Sequence, residues 1–508
     1  MGINNLRKIV LFACLFSSLL LCVAAITGCG SVKSNYNPNA EFPRQKLEED
    51  YTLFRNILED AHPSLYWYTS KDSLDYFFNY GFQHIKDSMT EPQFRTLLSY
   101  VISKIDCGHT TIRFSKKYAR YMDTVRLAQF PIGIKFWDDS AIVYVNINRK
   151  DSLLTRGTTI TAINDVPIAT VRDSLFRYMV MDGYGLNHKY QTLSNIGTFG
   201  GLYQAVFGAR DSFGVRYIDS SGIEKATSIS LYDIRKDTAF RRFVRRVPAQ
   251  TKKQRKETVL FNARNIQIDT SGSTAFMTVT TFADGNKLRS FFRQSFRTLQ
   301  ERQIKNLVID LRLNGGGNVA LSTNLTRYIS DHKFKLADSL YANRRLSRYE
   351  QYINNSFGGF FFFNFMTHRA RDGKYHFGYF ERHYFKPKEK YHYNGNVYVI
   401  TGGFSFSAST LFVNAVKGQQ NVKIVGEETG GGAYGNTAWF EPTATLPNTQ
   451  LRFTLPRFRM VMNKDYPKNG HGILPDIEVK PASSAIKNGY DYKIEYLRKL
   501  ISDSSSHQ

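Results

Sequence analysis

Gly402 to Lys417 reads GGFSFSASTLFVNAVK, and it narrows the folds open to this chain more than any other stretch. Before it, Val397-Tyr-Val-Ile400 is a short apolar run of strand type. After it, Leu411, Phe412, Ala415 and Val416 recur at helical spacing. The stretch therefore predicts a strand, a tight glycine turn and a helix. Such a turn sets small hydroxyl residues at a helix N-terminus, where unpaired backbone N–H groups and the positive end of the dipole stabilise an oxyanion. That is what a nucleophilic serine needs. A second glycine-rich turn follows the strand Leu307 to Leu311 and reads DLRLNGGGN from Asp310 to Asn318. Two such turns predict one site, on an α/β core whose active loops sit at strand C-termini.

In order along the chain, DLRLNGGG, then SFSAST at a helix start, then GEETGGG at Gly426 to Gly432 resemble the core of the C-terminal processing (tail-specific) serine peptidases. The resemblance implies a crotonase-like or ClpP-like α/β peptidase core. By position in the motif it places the nucleophile at Ser407, with an oxyanion hole in the amides of Ala408 and of the Gly315, Gly316, Gly317 turn. Lysine-dependent members of the family carry their base in the GEETGGG turn, where this chain has Gly432. The sequence Asp106-Cys-Gly-His-Thr110, delivered by a helical stretch, resembles the histidine loop of the tricorn-like branch and makes His109 the implied base. A histidine after glycine at a helix end also reads as a cap on the last carbonyls. Tricorn-like members place a glutamate before the closing motif, here Gly470-His-Gly-Ile-Leu-Pro-Asp476. This chain has Asn469 at that point and Asp465 nearby, and these two are the candidates for a third member of the relay. No cofactor is implied, and the histidines show no HExxH or paired-ligand spacing that would call for a metal. No G-x-S-x-G elbow surrounds any serine.

A chain of 508 residues, 42% hydrophobic and 14% aromatic, is ample for two to three globular domains. Residues 1–28 have a basic start at Arg7 and Lys8, an apolar run from Ile9 to Ile26 interrupted only by Ser17 and Ser18, and then small residues: a signal peptide pattern. Its end, Ile26-Thr-Gly-Cys29, resembles a bacterial lipobox and implies lipidation of Cys29, with 29–44 as tether; an uncleaved anchor helix is the competing reading. The mature chain is then expected on the membrane of the bacterial cell envelope, at the periplasmic face or outer membrane. Cys14 and Cys22 leave with the signal, so Cys107 alone remains and no intrachain disulfide framework is expected. Cys107 also stands open as a nucleophile in its own right, two residues from His109.

Residues 45–125 read as a helical N-terminal domain: Leu47, Tyr51, Phe54, Ile57 and Leu58 mark one amphipathic helix, and Leu74 to Ile85 a second. A third is capped at Thr90-Glu-Pro and leads to the His109 loop. From 126 to 235 the pattern turns to strands. GTTITAINDVPI within it resembles the signature of PDZ domains, which bind peptide C-termini by strand addition and carboxylate capture. A purely structural β-domain is the alternative, and Gly183 to Ala209 stands as an insertion without an assignable place. Residues 236–258 are basic and contribute to the net charge of +25. No helix-turn-helix, RRM or zinc pattern accompanies them, so a solvated linker, attracted to anionic lipid, is expected rather than a nucleic-acid partner. The core is expected over 259–508, with an aromatic insertion at 345–393 that either packs a subdomain or lines a groove for apolar side chains.

The expectation is an envelope lipoprotein serine endopeptidase cleaving unfolded or C-terminally recognised polypeptides. The competing one is a catalytically inactive peptide- or ligand-binding lipoprotein on the same fold.

Overall fold

The runs Asn306–Asp310 and Asn396–Thr401 are apolar on both faces, as strands sandwiched between two layers must be. In the computed structural model, which describes residues 36–238, 242, 248–269, 273–354 and 357–505, they form the middle of a six-stranded sheet. Its order is Arg264–Ile268, Thr274–Val279, Asn306–Asp310, Asn396–Thr401, Val422–Gly426, Ile477–Glu478. The first pair is antiparallel and every other pair parallel. Side chains alternate between faces. Leu307 and Ile309 pack under the helices Leu288–Glu301, Val319–Ile329 and Ala408–Val416, through Phe292, Phe296, Leu325 and Phe412. Val308, Tyr398, Ile400 and Val425 face the other way, against Leu497 and Ile501 of the last helix. The register pairs Asp310 with Ile400 and Thr401 with Gly426, so the three glycine-rich turns all leave the same edge of the sheet.

The helices Arg44–Ala61, Lys71–Gln83 and Glu91–Ile102 lie where the apolar periodicity predicts. Thr90 accepts from the Gln93 amide while the Gln93 side chain accepts from the Thr90 amide, a reciprocal cap with proline in the first turn. These helices do not enclose a core of their own. Leu47, Phe54, Leu98 and Ile102 share one with Ala444, Leu451 and Phe453 of a four-stranded sheet, ordered Ile353–Asn354, Thr443–Thr445, Arg452–Thr454, Ile112–Arg113. Residues 36–38 and Lys116–Arg126 form a separate small unit in which the Tyr36 ring lies 5.5 Å from Tyr118 and 5.7 Å from Tyr121.

Over 126–235 an antiparallel sheet runs Ile132–Trp137, Ser140–Asn146, Thr159–Ile163, Ser212–Ile218, Glu224–Ser230, with Val166–Pro167 paired beside the third strand. The stretch 183–209, unplaced by sequence, supplies the helices Asn187–Leu193 and Thr198–Phe207, and Phe199 and Tyr203 complete this sheet's core. The aromatic insertion divides. Phe363, Phe377 and Phe380 are buried with Leu340, Phe458 and Met460, whereas Phe360, Phe361, Phe365, Tyr379 and Tyr384 are exposed. Lys252–Ala263, within and beyond the basic stretch, is a helix capped by Thr251 and Gln254 and is exposed over most of its length. The expected signal peptide, the expected lipidation residue Cys29 and residues 30–35 of the tether lie outside the described residues, as do parts of the basic stretch. Among the described residues no helix is long and apolar enough to cross a membrane.

Candidate active site

Two glycine-rich turns are stitched together by side chains that the sequence places between them. The Asn314 amide group donates to the Val279 carbonyl at 3.0 Å, and its Oδ1 accepts from the Gly316 amide at 3.0 Å. The Asn314 carbonyl accepts from the Phe406 amide at 3.2 Å and from the Ser409 hydroxyl at 2.8 Å. The Ser405 hydroxyl donates to the Leu311 carbonyl at 2.9 Å. Ser405 and Ser409 are thus fully buried and spent on structure. Ser407 is the serine left over: half-buried, with no hydrogen bond to its hydroxyl among the described residues.

Its backbone is strained. Ser407 has φ 54° and ψ −119°, a conformation L-residues rarely adopt, costing about 1–3 kcal/mol and persisting only where surrounding structure imposes it. It immediately precedes the helix Ala408–Val416. Gly316, at φ +99°, is forced by proximity: a Cβ there would lie 2.7 Å from the Ser407 Cβ. The Gly316 amide is taken by Asn314, while those of Gly317 and Ala408 donate to no acceptor among the described residues. Ser407 opens into a cavity of about 260 Å³ lined also by Gly317, Asn318, Asn436, Trp439 and Glu441. The Asn436 side-chain oxygen is buried there without a partner among the described residues.

His109 reaches the same turn from the N-terminal half. Its ring stacks on Phe406, the residue before Ser407, at 4.5 Å between centroids, and His188 stacks on Phe406 at 4.9 Å. His188 Nδ1 donates to the Gly403 carbonyl at 2.9 Å, which fixes its tautomer, and burial holds its pKa below the ordinary imidazole value. His109 is shifted the other way. Burial by itself would lower it, but the carboxylates of Glu441 and Asp182 outweigh burial and hold it above the ordinary value. Asp182 Oδ1 lies 3.8 Å from His109 Nδ1 and accepts from the Gly108 amide at 2.8 Å, while its Oδ2 is buried and unpartnered among the described residues. Neither ring nitrogen of His109 makes a hydrogen bond, to Ser407 or to any other described residue.

The expected third member needs correction. Asp465 is exposed, and Asn469 is exposed with its Oδ1 accepting from the His471 amide. Neither has a contact with His109, and the carboxylates that act on that ring are Asp182 and Glu441. Sequence reasoning missed both, since Asp182 lies at the edge of the unplaced stretch and Glu441 in a loop with no motif. Gly432, at the family's lysine position, is buried and bridged to Gly472, and a Cβ there would meet the Gly435 carbonyl at 2.7 Å. A lysine would not fit without the turn shifting. Burial pushes the Cys107 thiol up to about 12, and its sulfur accepts from the Thr110 hydroxyl at 3.1 Å, so it stays protonated and is no nucleophile. Among the described residues no three His, Cys, Asp or Glu side chains gather as a metal site requires.

The sequence model of peptidase family S41 matches residues 273–479, which hold both glycine turns, Ser407 and the closing motif. That segment is similar to the peptidases of family S41. Members of that family are serine peptidases, and the S41 segment here carries the whole central sheet except its first strand. Among solved structures, mature CPAF aligns over 90% of this chain and 96% of its own at 13% identity and a TM-score of 0.60. Its complex with lactacystin gives 14% identity over 90% and 97% at 0.60, and the s499a mutant of CPAF 12% identity over 90% and 96% at 0.62. At these identities the likeness is one of fold. No curated protein matches the chain in sequence.

Proposed function

We propose that this chain is a serine endopeptidase of the cell envelope, lipid-anchored through Cys29, that cleaves unfolded or C-terminally recognised polypeptides. The observation that carries the catalytic part is Ser407: a strained serine at a helix N-terminus, facing a cavity, between two serines whose hydroxyls are spent. In this reading Ser407 Oγ attacks the scissile carbonyl and His109 takes its proton, then passes it to the leaving amine. Asp182 stabilises the imidazolium through Nδ1. The oxyanion is held by the amides of Gly317 and Ala408, each typically worth about 3 kcal/mol. The hydrogen bond between Ser407 and His109 forms when substrate fills the cavity, as catalytic contacts commonly tighten only in the complex. The antiparallel sheet of 126–235 serves as the PDZ-like receptor of chain ends.

One observation favours a second reading, a binding lipoprotein that has lost the chemistry: both nitrogens of His109 lack a partner. A fluorophosphonate probe separates the two. It should label Ser407, with labelling lost in Ser407→Ala and strongly slowed in His109→Ala. A wild-type protein that stays unlabelled while folded would establish the second reading.

A further inference from the structure

A second cavity, of about 540 Å³, shares no lining residue with that of Ser407. It lies between the strand Ile132–Trp137, the Asp310 turn and the stretch 481–493. Its size is that of a small-molecule or peptide-end pocket. Four cations line it, Lys135, Arg156, Arg312 and Lys493, against three carboxylates, Asp310, Glu427 and Asp491.

The pairing leaves two cations over. Arg312 is held by both Asp310 and Asp491, at 2.6 Å and 2.7 Å, and Lys493 is paired with Glu427. The side chains of Lys135 and Arg156 have no ion pair or hydrogen bond among the described residues. Arg156 is exposed at the rim. Lys135 is not: it sits on a strand whose Ile132, Ile134 and Phe136 are in the core, and it points off the opposite face into the cavity. Burial pushes its ammonium below the ordinary lysine value, and Glu427, already engaged by Lys493, opposes that only in part. Its ammonium is half-buried and opens into the cavity with no ion pair among the described residues, a position that an anionic ligand would complete. The other walls are apolar or aromatic: Leu313, Ala485, Ile486, Tyr490 and Tyr492.

We infer that this cavity is a binding site for a carboxylate attached to an apolar group, with Lys135 as its counterion and Arg156 as the second cation at the mouth. The carboxylate is either the end of a polypeptide chain or a free acyl amino acid. Gln191 connects the cavity to the reaction: it lines the pocket, donates to the Arg312 carbonyl at 3.0 Å and accepts from the Phe404 amide at 3.2 Å, so it touches both turns that frame Ser407.

Binding needs no turnover, so the inference is tested on the full chain carrying Ser407→Ala and is independent of whether the chain cleaves anything. By titration calorimetry, N-acetyl-leucyl-phenylalanine should bind about tenfold or more tightly than its amide, the gain expected of one charge-assisted contact. Lys135→Met should erase the difference, Lys135→Arg should keep it, and Arg156→Gln, at an exposed rim position, should narrow it without touching the fold. A decapeptide ending in Leu-Phe that binds more tightly than the dipeptide identifies a chain end as ligand; equal affinity identifies the free acid. If acid and amide bind alike, or if folded Lys135→Met retains the preference, the site is not a carboxylate pocket.

Discussion

Ser405, Ser407 and Ser409 share a side chain and differ in what surrounds it. The first and third are fully buried donors to backbone carbonyls. The second is held at positive φ by the close approach of Gly316, with its hydroxyl turned to a cavity. The chemistry of His109 is likewise set by neighbours, because burial would lower its pKa and two carboxylates raise it. If His109 is the base proposed above it must be unprotonated to work, so kcat/KM should rise with pH in one step, with its midpoint above the ordinary imidazole value. Glu441 is an exposed member of the cavity wall and contributes to that raising. Glu441→Gln should therefore move the step to lower pH, increasing relative activity on the acid side, and high salt should move the wild-type profile in the same direction by screening. Coincident profiles for variant and wild type would mean that Glu441 does not act on the base.

At the scale of elements, the two glycine turns form one unit, since Asn314 and the flanking serines hold them in fixed register. Gly316→Ala tests that rigidity. An added Cβ meets Ser407 Cβ at 2.7 Å and the Ala408 amide nitrogen at 2.9 Å, in a backbone conformation that favours glycine. The turn must move, and a displacement near 1 Å in a catalytic group can cost about 10²-fold. We expect kcat to fall at least that far while circular dichroism stays unchanged, and a variant with near wild-type kcat would show the turn to be adaptable. The turns were legible because each follows an apolar strand and is spelled in glycine, and the helix starts because Thr90 and Pro92 are local signals. The Asp182 contact was not legible. It joins residues 74 positions apart, from Asp182 to Gly108, and a contact of that range leaves no periodicity behind. The helix Asn187–Leu193 was missed for a similar reason: His188 and Gln191 bond distant neighbours, and Leu193 is its one fully buried apolar residue.

At the scale of the molecule, the N-terminal helices share a hydrophobic core with the peptidase segment, which predicts that the two unfold together. Phe54 meets Phe453 edge to face at 5.2 Å in a core the two halves share. The strand holding Phe453 pairs Phe453 with Ile112 and Arg452 with Arg113, and the Thr454 amide donates to the Thr111 carbonyl at 3.0 Å. That pairing begins just beyond His109, so the C-terminal half positions the proposed base delivered by the N-terminal half. Phe453 is fully buried, and Phe453→Ala should cost about 3–5 kcal/mol from lost transfer energy and the cavity left behind. Phe453→Leu, closer in volume, should cost less than about 1.5 kcal/mol if the neighbours repack. Because the same strand anchors the His109 loop, Phe453→Ala should also slow fluorophosphonate labelling of Ser407 under conditions where the variant is still folded, whereas Phe453→Leu should not. Denaturant unfolding followed by near-ultraviolet circular dichroism, alongside labelling rates, measures both. If Phe453→Ala weakened only an early, separate transition of the helices and left labelling at the wild-type rate, the helical layer would be an independent domain and the His109 loop would be held by something other than this strand.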